Sequence, residues 1–186
     1  MQMSPGLVGM FVLVAVLIWV VASFNKLVVQ RTRVQNAWAE IDVQLKRRHD
    51  LIPNLVEAVR GYMEHERVTL ESVTQARAQA LAAGKNVRQR SDAEAALTAA
   101  LGKFFAVAEN YPQLRAVESV QLLQEQLTST ENRIAYARQF YNDEVMDYNA
   151  ARSTFPRNLF AGLLGFSPSA MFTAADADRA NVQVKA

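Results

Sequence analysis

The stretch "VQNAWAEIDVQLKRRHDLIPNLVEAVRGY", Val34 to Tyr62, decides the fold. Val34, Trp38, Ile41, Leu45, Ile52, Leu55, Val59 and Tyr62 step by three and four, with one missing beat at Arg48. Apolar side chains at that spacing line one face of an α-helix, and a near-heptad rhythm makes the face a seam against other helices. The missing beat falls within "KRRHD", Lys46 to Asp50, and Pro53 follows almost at once. A proline inside a helix removes a hydrogen bond and crowds the carbonyl four residues back, here that of His49. The pattern predicts helices over about 26–50 and 51–83, with Pro53 as a kink or a tight turn. Asp50 is a candidate cap for the second helix and Gly84 its stop.

Ahead of the seam, Leu7 to Phe24, "LVGMFVLVAVLIWVVASF", is almost wholly apolar, and no charged side chain occurs from Met1 to Asn25. Eighteen residues at ~1.5 Å each reach ~27 Å, close to the hydrocarbon thickness of a bilayer. A cleaved signal peptide would carry a basic region, a shorter core and small residues at the cut. Nothing basic precedes this core, and the hint of a cleavage site is confined to "VAS", Val21 to Ser23. Residues 1–25 are read as a retained transmembrane anchor, with the lipid bilayer as partner through residues 7–24. Lys26, Arg31 and Arg33 follow the anchor and no basic residue precedes it. The positive-inside rule then puts the amino terminus outside and the remainder in the cytoplasm.

Beyond the seam the helical signal continues, and clean strand alternation is missing from all 186 residues. Val68, Val73 and the alanine-rich "ARAQALAAG" lead to Gly84, and "KNVRQR", Lys85 to Arg90, reads as a loop. Ser91-Asp92-Ala93-Glu94 matches the S-x-x-E capping box and opens a predicted helix over about 91–110. Pro112 suits the first turn of a last helix, about 112–152. There Val120, Leu123, Leu127, Thr130, Ile134, Ala137, Tyr141, Val145 and Tyr148 keep the rhythm. Such a length requires packing throughout, since an isolated stripe would leave a long apolar face wet. The bundle region is thus bounded at 26–155. An apolar, proline- and glycine-punctuated end follows over 156–172, then a polar tail over 173–186.

Composition excludes several functions. The net charge is +2, with 20 basic and 18 acidic residues interspersed, so no basic face recommends nucleic acid. The absence of cysteine removes disulfides, thiolate metal sites and a cysteine nucleophile. His49 and His65 are sixteen residues apart, ~24 Å along one helix, too far to share an ion. No nucleophile–base pair, phosphate loop or closely spaced carboxylate pair emerges, so the reading is of no enzyme, no metal and no cofactor.

Two constellations remain. Asp42, four residues before Lys46, has the favourable order for a surface pair, but Arg48 falls on the apolar seam and needs a partner. In the last helix, Tyr141-Asn142 and Tyr148-Asn149 repeat at seven, close to Arg138, Asp143 and Glu144. A structural polar lock is expected, in which Arg48 and Asn54 meet Asn142, Glu144 or Asn149 and set helix register, with Asp42, Asp50 and Arg138 around it. The second constellation is apolar: Phe155, Leu159, Phe160, Leu163, Leu164 and Phe166. It either caps the bundle, lies on the membrane surface or joins protomers.

The stretch from Val34 to Arg77 resembles the LemA family of bacterial membrane-anchored proteins. So does "ENYPQLRAVESVQLLQEQLTSTENRIAYARQFYNDEVMDYN", Glu109 to Asn149, with the "FP" and "GF" that follow. Departures lie at the edges: Phe24 stands where members commonly carry tyrosine, and "PSAMFTAAD" is a loose version of the usual ending. The resemblance implies an all-α chain, one anchor and an antiparallel, four-helix-type bundle of long helices at the bacterial inner membrane. It brings no established biochemical activity, and implies links to membrane proteolysis or membrane organisation. The functional expectation is a non-enzymatic scaffold or adaptor for envelope proteins, acting by helix packing and self-association. The alternatives are a lipid-binding or membrane-shaping protein and an accessory factor of membrane proteolysis.

Overall fold

The computed structural model describes residues 5–84 and 86–172, so the expected polar tail over 173–186 lies outside the described residues. Among these the chain is helical, with no strand. The first helix, α1, runs from Pro5 to Val59, 55 residues or ~83 Å. The anchor and the first bundle helix are therefore one element. The most apolar 18-residue window of α1 has a mean hydropathy of 2.8 and is almost uncovered by the rest of the chain. That helix is long and apolar enough to cross a membrane.

The expected boundary at 50/51 does not occur, and α1 passes straight through Pro53. The reason is visible one turn back. The His49 carbonyl that Pro53 deprives of its amide partner accepts instead from Arg77 Nε at 2.7 Å. Asp50 caps nothing and pairs with Lys46 at 3.0 Å on the exposed surface. The turn comes later, over Arg60–Glu66, and α2 spans Arg67–Ala82.

The next helix also starts earlier than the capping box suggests. α3 runs from Val87 to Ala108 and is capped by Asn86, whose Oδ1 accepts from the amides of Arg88 (3.0 Å) and Gln89 (3.2 Å). Ser91 thus sits inside α3, and Glu94 is a buried core residue rather than a box partner. A short 3-10 helix over Pro112–Ala116 precedes α4, Glu118–Ser153, and a single turn, α5, covers Asn158–Ala161.

α1 packs along α4, and α2 along α3. Successive helices point away from and back toward the anchor, an antiparallel four-helix arrangement in the half distal to it. The core falls into two blocks. The proximal block holds Leu27, Val34, Ala37, Ile41 and Leu45 of α1 against Ile134 to Ala151 of α4. The distal block holds Ile52, Leu55 and Val59 against Val73, Leu97, Leu101, Phe104 and Leu127. On α1 the two blocks are separated by the turn that carries Arg48.

Candidate functional site

Arg48 fills the missing beat of the seam and is fully buried. Its Nη2 donates to a carboxylate oxygen of Glu94 and its Nη1 to Glu131 Oε2 at 2.5 Å. Nη1 also donates to Thr98 Oγ1 at 2.9 Å, and the Thr98 hydroxyl donates on to Glu131 at 3.3 Å. His49 Nε2 lies 3.1 Å from the other oxygen of Glu94. One polar layer thus joins α1, α3 and α4 between the two apolar blocks.

The electrostatics follow from that geometry. Burial pushes the Glu94 carboxyl upward, but the adjacent His49 ring and the Arg48 charge outweigh it and hold it below the ordinary carboxylate range. Arg138, seven residues beyond Glu131, has its pKa lowered by burial and then by repulsion from Arg48, while Glu131 and Glu94 oppose the shift. It remains a cation. The two guanidinium groups, of Arg48 and Arg138, and the two carboxylates, of Glu94 and Glu131, carry equal and opposite formal charge.

The expected partners of Arg48 are elsewhere. Asn54 is exposed, and Glu144 is half-buried away from the layer. Asn142 donates from Nδ2 to the Phe172 carbonyl (2.9 Å) and accepts from its amide (2.7 Å). Asn149 does the same with Ser169, at 2.9 and 3.0 Å. The Tyr141 and Tyr148 hydroxyls donate to the carbonyls of Ala170 and Ser167, each at 2.8 Å, and Arg152 Nε donates to that of Phe166 at 2.7 Å. The tyrosine–asparagine repeat is therefore a ladder that binds the extended segment 166–172 back along α4. A carboxamide suits this, because it offers a donor and an acceptor to the two polar groups of one residue.

That strap covers the proximal block, on which the first turns of α3 also pack through Val87. Phe172 packs on Trp38 and Tyr141, with ring centroids 6.0 and 6.5 Å apart, and the Arg138 guanidinium lies 4.8 Å from its ring centroid. Asp42 is also re-partnered: it pairs with Arg90 of α3 at 2.9 Å rather than with Lys46. Of the anticipated residues, Arg48 and Arg138 belong to or border the layer. Glu94, Glu131, Thr98 and His49 complete it and had not been assigned to it by sequence.

The apolar constellation divides. Phe166 is buried, with its ring 5.5 Å from that of Phe24, and Phe160 is half-buried against Trp19 at 5.7 Å. Phe155, Leu159, Leu163 and Leu164 are exposed. No group of three or more metal-ligating side chains converges among the described residues. His49 sits in the layer, and His65 is exposed in the distal turn. An open groove of about 970 Å³ lies at that distal end between Val56, Met63 and Leu70.

Similar chains carry the same kind of sequence. Magnetosome protein MamQ 2 of Paramagnetospirillum magneticum is 24% identical over 174 residues, covering 80% of this chain and 64% of that protein. Magnetosome protein MamQ of Magnetospirillum gryphiswaldense is 23% identical over 179 residues, covering 83% and 66%. Protein LemA of Metamycoplasma hominis is 24% identical over 158 residues, covering 85% and 72%. The chain spans about two thirds of the length of the magnetosome relatives that it matches. Together the anchor-length helix, the helical bundle and these relatives describe a membrane-associated helical protein. The LemA family model matches residues 37–185, most of the sequence, and the chain belongs to the LemA family.

Proposed function

We propose that this chain is a non-enzymatic scaffold: a rigid post that rises from the inner membrane and holds other membrane proteins, or copies of itself, at a fixed distance and orientation. The observation that carries this reading is the continuity of α1. From Asn25 to Val59 it extends ~52 Å beyond the apolar span with no break between span and bundle. The Arg48 layer and the two core blocks fix α3 and α4 to that helix, so motion of the anchor and of the bundle is coupled. In this reading the bundle stands on the cytoplasmic side, following the basic residues Lys26, Arg31 and Arg33.

The outer face of α4 supplies contact chemistry. Tyr136, 74% exposed, and Phe140, 53% exposed, lie one turn apart on that face. Photo-crosslinking side chains placed at 136 and 140 in intact cells should capture a defined membrane protein or a second copy. Recovery of nothing but an uncrosslinked monomer, together with a monomeric native mass, would contradict the scaffold.

A further inference from the structure

We propose that residues 158–166 insert into the bilayer leaflet on the bundle side, beside the anchor, and give the chain a second hold on the membrane. This deepens the anchored reading above and rests on it. The starting point is depth. Trp19 lies five residues inside the end of the apolar span at Phe24, hence ~7 Å into the hydrocarbon when α1 crosses a bilayer. Phe160 packs edge-on against that tryptophan, and Phe166 against Phe24. The segment that carries both rings is thus drawn alongside the membrane-spanning part of α1, not above it.

The chemistry of the segment fits that depth. From Asn158 to Phe172 there is no charged side chain. Leu163 is 89% exposed and Leu159 66%, while Ala161 and Phe166 are buried against the rest of the chain. One side is therefore seated on the protein and the opposite side offers bare apolar groups at acyl-chain level. In water such a cluster would be costly, and next to the anchor the bilayer is the apolar phase that meets it.

A segment in lipid must also satisfy its own backbone. Here Phe166 N–H donates to the Ala161 carbonyl at 3.0 Å and Gly165 N–H to that of Gly162 at 3.2 Å. Those are the paired bonds of a Schellman turn, and Gly165 takes the left-handed conformation it requires, φ +77°. Leu164 N–H donates to Phe160 at 3.0 Å, and the Phe166 carbonyl accepts from Arg152. Arg152 and Arg157 on one flank and Lys26 and Arg31 on α1 stand where anionic headgroups would lie.

The chain has no cysteine, so single labels report cleanly. Full-length Leu159→Cys and Leu163→Cys variants carrying a nitroxide would be reconstituted in vesicles of phosphatidylcholine and phosphatidylglycerol. Collision with dissolved oxygen would be compared with collision with a water-soluble nickel chelate. Leu13→Cys reports the anchor and Tyr136→Cys the aqueous bundle. Insertion predicts loss of nickel collision and high oxygen collision at 159 and 163, tracking position 13. A nickel response like that of position 136 would overturn the proposal by showing the segment in water. Low collision with both reagents would overturn it by showing a protein cover. If position 13 itself reads aqueous, the anchored reading fails first and the insertion with it.

Discussion

Arg48 of α1 and Glu94 of α3, forty-six residues apart in sequence, form an ion pair with both side chains fully buried. It stands where the seam of α1 passes from one apolar block to the other. Buried ion pairs often add little net stability against apolar replacements, but they penalise any packing that leaves either charge alone. The pair thus selects which helices meet, and in what register.

Arg48→Ala strands Glu94 in the core and is expected to cost about 3–5 kcal/mol, read from chemical unfolding of the full chain in detergent. Replacing Arg48, Glu94, Glu131 and Arg138 together by Met, Leu, Leu and Met should cost much less than that single change. In double-mutant cycles, Arg48→Ala should couple strongly to Glu94→Gln and negligibly to Asn142→Ala, whose amide is committed to Phe172. Equal coupling at the two sites would contradict the layer.

The layer also sets an acid limit. The folded state holds Glu94 below its ordinary value of 4.5, so its contribution is complete above that pH and is lost as pH falls through the depressed folded value. Unfolding free energy should fall on acidification below about 4.5, and Glu94→Gln should flatten part of that fall. An unchanged acid limb in Glu94→Gln would remove this residue from the account.

Arg77 and Pro53 should behave non-additively. Arg77→Ala leaves the His49 carbonyl without its donor, a loss of about 1–3 kcal/mol. In a Pro53→Ala background the restored amide at position 53 supplies a helical donor, and Arg77→Ala should then cost clearly less. Equal costs in both backgrounds would show that the guanidinium does not compensate for the proline.

The strap depends on the asparagine ladder. Asn142→Ala and Asn149→Ala should speed amide exchange at Phe172 and Ser169 by roughly 10- to 100-fold, the equivalent of about 1–3 kcal/mol in local opening. Exchange at Ile134, deep in the proximal block, should change little.

The long seams of α1 and α4 and the apolar span were legible because each is local, a matter of side-chain period along one helix. The buried character of Arg48 was legible for the same reason: it occupies a beat that should be apolar. Its partners were not, since Glu94 and Glu131 lie on other helices and the period of α1 says nothing about which faces meet them. Glu94 also matched a local capping pattern, and tertiary burial overrode it. Pro53 announced a lost hydrogen bond but not that Arg77 would take the orphaned carbonyl. The tyrosine–asparagine repeat was visible as one face of α4, yet its partner is an extended segment with no period of its own.

The central claim, that anchor and bundle are one unbroken rod, is tested most directly by a distance along α1. Nitroxides at Val21→Cys and Glu57→Cys, both exposed, are 36 residues apart, ten helical turns or ~54 Å on a straight helix. Pulsed electron paramagnetic resonance on the full chain in vesicles should give one narrow peak near that distance. A broad distribution, or a peak markedly shorter, would mean a hinge between membrane and bundle and would contradict the post.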